Sequence, residues 1–325
     1  MLRTIFFCVA ALSTFTTAVW AELNCTAVPI SLAVANSTLS SGVKRRGVAV
    51  TLGTPPQKFS LTVAATYNNT YFQEGPVTKE NCPMDADTPA ARCITLKGGV
   101  FDRDASFTWL PQTKQSFRGS SQDFNTVLDT FDRGQEVLST SEFNLTNYPV
   151  GLLSKYTGDA AAHGMLGLSL NSTLLETLVA EGKISSNSWA LDYGWSGYDS
   201  TWVDGALTLG GYDKSRFQGD LYPQDFSIQS NGQVDQECAL KVTIESMVMT
   251  NSSGSVDLLP GGKSEAKLAC VTPNYPLITL PGTMFDIFNQ NMNGKYSDDK
   301  RSVGAFYLWG FVDSGTPYAL CFQFI

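Results

Sequence analysis

The sequence predicts a mainly β protein built as two lobes, and three observations carry that expectation. Short runs of β-branched and aromatic residues alternate with Gly, Pro, Asn and Asp along most of the chain. Helical periodicity is confined to a few short stretches. The two clear helices each follow a strand of similar character, one in each half, which puts a lobe boundary near residue 190.

The elements justify this in order. Residues 1–21, "MLRTIFFCVAALSTFTTAVWA", have a basic start at Arg3, an apolar run and a small-residue end at Ala21, so they read as a secretory signal. Residues 22–46 are Ser/Thr-rich and end in Lys44-Arg45-Arg46. They read as an N-terminal segment, either a short trimmed leader or plain solvated chain. "GVAVTLG" (47–53) and "KFSLTVAATY" (58–67) read as strands around the Thr54-Pro55-Pro56 turn. "NSTLLETLVAEGK" reads as a helix, with Ser172 or Thr173 as cap, Leu174, Leu175, Leu178 and Val179 on one face, and Gly182 as stop. "ALTLGG" (206–211), "ALKVTIESMVM" (239–249) and "YPLITLP" (275–281) repeat the strand pattern. "GTMFDIFNQNMNG" gives a second helix, capped by Thr283 and stopped by Gly294. "VGAFYLWGFV" (303–312) is about half the length of a membrane span and reads as a strand. The lobes are thus expected over 47–190 and 191–325, with the second incomplete.

Composition narrows the classes. The chain has 325 residues, 43% apolar and 16% charged, which suits a well-buried core. A net charge of −8 argues against nucleic acid, which needs clustered Lys and Arg. After Cys8 leaves with the signal, Cys25, Cys82, Cys93, Cys238, Cys270 and Cys321 remain, an even number that fits an oxidising compartment. Cys82 and Cys93 flank one loop and are the expected pair; the other four allow three pairings. No CxxC occurs and the single His is His163, so no metal or other cofactor is expected. Sequons at Asn24, Asn36, Asn68, Asn144, Asn171 and Asn251 point to glycans on exposed loops.

Five landmarks fall in a recognisable order: "LGTPPQ" (52–57), "GGVFDRDASFTW" (98–109), "HGMLGLSL" (163–170), "GALTLGGYDKSRFQGDL" (205–221) and "YPLITLP" (275–281). With these motifs, over roughly residues 45–290, the chain resembles the pepsin-like aspartic proteases. It looks closest to a divergent secreted fungal branch. The resemblance implies two β lobes around a long cleft, each presenting an Asp-Thr/Ser-Gly loop. Two Asp carboxylates so close cannot both ionise, so they divide the roles of acid and base and activate a water.

Carried over residue by residue, the resemblance puts Ala64 at the first Asp position, Ala65 at the hydroxyl position and Thr66 at the glycine, with Tyr71-Phe72 as the aromatic-apolar pair that follows. It puts Thr272 at the second Asp, Pro273 at the hydroxyl position and Asn274 at the glycine. Both acids are replaced. The stretch 112–129 is short and polar for the usual flap and holds no Tyr; Phe117 or Phe124 is the candidate cover. Asp313-Ser314-Gly315-Thr316 matches the second signature to the letter. Too little chain follows it for the strand, Leu-Pro and helix that the signature precedes, so Asp313 is a weak candidate acid. His163 reads as structural. Tyr193, Trp195, Tyr198 and Trp202 read as inter-strand packing, with the lining of a sugar or peptide groove as the alternative.

The expected function is a secreted, monomeric aspartic-protease-like protein, catalytically inactive, whose cleft still binds an extended peptide or a cell-wall polymer, with no nucleic acid and no membrane span. Losing one acid/base group costs ~10²–10⁴ in rate, and groups that act as a unit fail as one. Two alternatives stay open. One is an active acid endopeptidase using a misaligned carboxylate pair. The other is a truncated, non-functional family member.

Overall fold

A computed structural model describes residues 27–76, 90–125, 131–153, 163–195, 202–230, 232, 234–235, 238–251, 254–274, 280–291, 295–303, 306–312 and 318–324. The signal, Asn24, Cys25, Cys82, Asp313 and most of "YPLITLP" lie outside these residues; Phe124, Cys93, Asn251 and Cys321 are described in their backbone only.

The first unit runs β1 (Ile30–Thr38), β2 (Lys44–Leu52), β3 (Gln57–Ala64), β4 (Thr70–Gln73), α1 (Ala90–Lys97), β5 (Leu110–Gln112), β6 (Asp132–Ser139), β7 (Asn144–Leu153), β8 (Met165–Gly167), α2 (Thr173–Ala180), β9 (Trp189–Trp195) and β10 (Val203–Leu209). These strands form one mixed sheet in the order β5-β6-β7-β4-β8-β3-β2-β1-β10-β9. The short β8 slots between β3 and β4. It runs parallel to β3, with Ala64 opposite Gly167. A side chain at Gly167 would collide with the Asn69 carbonyl, so the glycine lets β8 lie against the loop that follows β3. Alternation drives the strands inward: Val48, Val50 and Leu52 of β2 and Phe59, Leu61 and Val63 of β3 share one core with Leu145, Val150 and Leu152 of β7.

One sequence expectation is corrected here. Residues 22–46 were expected as a leader or solvated segment, yet Ile30–Thr38 is an inner strand between β2 and β10. Its residues Leu32 and Val34 are buried, while Ser31, Asn36 and Thr38 are exposed. The basic triplet belongs to β2, where Arg45 donates from Nη1 to the Leu96 carbonyl at 2.7 Å. Both β9 and β10 hydrogen-bond into the first sheet, so the change of sheet falls between Leu209 and Lys241.

The helix α2 follows its sequence signals: Ser172 Oγ accepts from the Leu175 N–H, Leu174, Leu175 and Leu178 are buried, and Gly182 closes it at a φ of 66°. The helix α1 also has a stop signal, Lys97 followed by Gly98 at a φ of 79°, although the strand-rich reading placed no helix there.

A second group of strands follows. β11 (Lys241–Asn251) pairs with β12 (Gly254–Asp257), β13 (Lys267–Cys270) and β16 (Tyr318–Phe324), while β14 (Lys295–Val303) and β15 (Phe306–Val312) pair with each other. α3 (Gly282–Asn291) begins one residue before Thr283, the expected cap, and buries Met284 and Phe288 against Ile244, Met247 and Met249. A Cys238–Cys270 disulfide ties the lead-in of β11 to the end of β13 across 32 residues. Closing a loop of that length stabilises by roughly 3–4 kcal/mol. It selects one of the pairings left open by sequence.

Candidate functional site

The β3 strand ends on Ala64, which is 0% exposed. Its methyl sits in a cluster with Tyr67, Tyr71, Phe117, Phe131, Leu153 and Met165. The rings of Tyr71 and Phe131 meet edge to face at 5.0 Å, and Phe117 and Phe131 meet at 6.0 Å. Phe117, a candidate cover for a cleft, is instead part of this packing. Ala65 turns the other way and packs with Val234 and Ala239 from the chain that leads to the second unit.

Beyond Thr66 the loop is organised around Asp123, a residue the sequence reading did not single out. This fully buried carboxylate accepts from the Asn68 and Asn69 N–H groups, from both Asn side-chain amides and from the Tyr71 hydroxyl, at 2.9–3.1 Å. Burial raises the Asp123 carboxyl above the usual carboxylate range, while the backbone and side-chain donors pull the other way. The only local hint is the run "YNNTY" (67–71), rich in donors; the acid that meets them lies about fifty residues on.

On the other side, Thr272 is half-buried, and Pro273 and Asn274 are buried. The Val271 N–H donates to the Leu240 carbonyl at 2.9 Å, so this segment runs beside the disulfide. A hydrogen bond links the Asn274 backbone to His163. Burial, then the nearby Arg45 cation, hold the His163 imidazole down to about 3. His163 is therefore neutral in the folded protein and protonates readily only when unfolded. Stability should then fall as pH drops from about 6.5, at up to ~1.4 kcal/mol per pH unit, because the unfolded chain binds the extra proton. The variant His163→Gln is expected to remove that slope between pH 6 and 4, read from urea midpoints.

A cavity of about 630 Å³ opens between the two sides. One wall is Asn187 and Ser188 with Trp189, Ala190, Leu191 and Tyr193 of β9. The facing wall is Phe226, Leu240, Val271, Thr272 and Pro273, and Leu168, Ser169 and Leu170 complete it. Thr272 lines this space and Ala64 does not. The described lining contains no Asp, Glu, His, Lys or Cys. Its hydroxyls, including that of Thr272, therefore have no lining base to take a proton. Such a surface can bind an apolar group.

Other predicted sites scatter. Asn36 and Asn144 are exposed, as acceptors for glycan would be. Asn68 is corrected: it is buried and its amide is committed to Asp123. Asn171 is half-buried, its amide donating to Gln122. Of the aromatic group near 193–202, Tyr193 and Trp202 are 42% and 52% exposed, Trp195 is described in its backbone only and Tyr198 lies outside the described residues. No helix of the described residues is long and apolar enough to cross a membrane.

By its fold the chain is a mainly β protein with one large mixed sheet and a smaller disulfide-tied unit. Comparison with models of known protein families finds no match, and comparison with curated proteins finds none. Among solved structures, the chain is similar to an aspartic proteinase from Irpex lacteus, with 16% identity over 84% of this chain and 71% of that one and a TM-score of 0.46.

Proposed function

We propose that the chain is a secreted aspartic-protease-like protein that has lost hydrolysis and retains a binding role. The carrying observation is Ala64: the position assigned to the first catalytic acid is a methyl sealed among aromatic rings. Thr272, assigned to the second, borders a cavity whose described lining has no carboxyl, imidazole, thiol or amine. The signal-like residues 1–21, the disulfide and the exposed sequons at Asn36 and Asn144 support passage through an oxidising, glycosylating compartment.

Purified protein incubated with denatured globin at acidic pH should leave the globin intact, with or without a transition-state-mimicking pepsin inhibitor. Cleavage that the inhibitor blocks would establish the acid endopeptidase instead.

A further inference from the structure

The cavity beside Thr272 has an unusual wall. Residues 187–191 all line it in unbroken succession. Successive side chains of a strand point to opposite faces, so a space that touches every one of them runs along the strand's edge, not over one face. β9 is the terminal strand of the ten-stranded sheet, paired only with β10 among the described strands. The phase of that pairing is set by the Gly210 N–H donating to the Ser188 carbonyl at 2.7 Å. Alternate residues of an antiparallel strand face its partner, so the backbone groups of Trp189 and Leu191 face away from β10, into the cavity. Here, then, a row of backbone donors and acceptors borders an apolar slot, with Leu240 and Val271 opposite.

We propose that this slot takes an extended peptide segment of a partner protein, which adds as a strand to the edge of β9 and places uncharged apolar side chains between the two walls. The choice of occupant follows from the two kinds of surface present. A compact apolar molecule would leave the edge N–H and C=O groups unpaired. A polysaccharide would bring many hydroxyls to walls that are mostly apolar. A peptide strand supplies the backbone partners and an alternating set of side chains together, as strand addition does elsewhere. Absence of charge from the described lining selects against Asp, Glu, Lys and Arg in the inserted positions.

The inference rests on the reading of the chain as a binder, and the experiment separates the two. The probe is a dye-labelled, end-capped heptapeptide of alternating Thr and Val/Leu, titrated with the full secreted protein by fluorescence anisotropy. Its integrity is followed by mass spectrometry. Saturable binding is expected, and N-methylation of alternate amides on the probe should weaken it at least tenfold. Leu191→Pro, which deletes an outward N–H without touching the ladder to β10, should do the same, as should Val271→Trp, which fills the slot from a half-exposed position. Circular dichroism melts of both variants establish that they fold.

Equal binding of the N-methylated probe would overturn strand addition. So would absence of saturable binding up to about 1 mM, the weak end of measurable recognition, whether the slot is filled by this chain's own segment or by nothing. A parent protein that self-associates in sedimentation, and is made monomeric by Leu191→Pro, would overturn it in favour of a second copy. Cleavage of a probe that still needs its amides to bind would uphold the inference and sink the loss of hydrolysis.

Discussion

Ala64→Asp is expected to destabilise the protein by about 5 kcal/mol at neutral pH and to create no peptidase, alone or combined with Thr272→Asp. The methyl of Ala64 is enclosed by Tyr67, Tyr71, Phe117, Phe131, Leu153 and Met165. A carboxyl there adds volume to a packed site, which typically costs 1–3 kcal/mol. It also has to stay neutral or be charged without water, and a fully buried carboxyl titrates roughly 3–5 units high. The folded state then holds a proton that the unfolded chain has released. Stability of the variant therefore falls as pH rises through the window above about 4 and recovers toward acid. Urea denaturation at pH 4 and pH 7 measures this: the deficit relative to the parent should shrink at the lower pH. A variant as stable as the parent at both values, or one that cleaves globin, would mean that the first-lobe position is an open site awaiting its acid.

Asp123→Ala is expected to cost about 4 kcal/mol. At least five donors converge on this carboxylate, from Asn68, Asn69 and Tyr71. Removing the acceptor leaves buried N–H and O–H groups unsatisfied, each worth roughly 1–3 kcal/mol, and relieves the cost of burying a charge, which offsets part of the loss. The Asn68 side chain also holds the Asn171 N–H, and the Asn69 side chain accepts from Thr173 Oγ1, so the damage reaches the start of α2. Asp123→Asn keeps the shape but turns an amide toward donors, and should fall between Ala and the parent. Burial raises the carboxyl in the fold, so the folded state binds the proton first on acidification. The gap between parent and Asp123→Ala should accordingly be widest near pH 4 and narrower at pH 7. Chemical denaturation across that range reads the gap, and a loss under 1 kcal/mol would show that the cage contributes little.

Much of the strand framework was legible because it is local. The Thr54-Pro55-Pro56 turn, the alternation in β2 and β3 and the capped helix α2 each write their structure into neighbouring residues. The strand β1 is not legible, because Leu32 and Val34 are its only buried residues and Asn36 and Thr38, in phase with them, interrupt the apolar alternation. Asp123 was missed for a different reason: its donors come from residues 68–71, and no local pattern announces a partner that far along the chain. The pairing Cys238–Cys270 likewise depends on β11 and β13 being neighbours, which spacing alone does not decide. At the candidate site, the resemblance assigns Ala64 and Thr272 to the motif positions, but sequence does not say that one is sealed and the other open. Nor could it find the slot along β9, since which strand ends a sheet is a property of the whole topology.

The position of β1 has a consequence for how the protein is made. Its partners are β2, only a few residues on, and β10, whose Leu209 faces Ile30 across 179 intervening peptide links (209 − 30). At ~5–20 residues per second, the ribosome needs roughly ten to forty seconds to deliver that partner. Throughout that interval the emerging chain presents an unfinished β edge of the kind that recruits neighbours. Production of this protein should therefore depend on holding chaperones more strongly than its size would suggest, and truncations that stop before residue 209 should aggregate rather than accumulate as a stable first half.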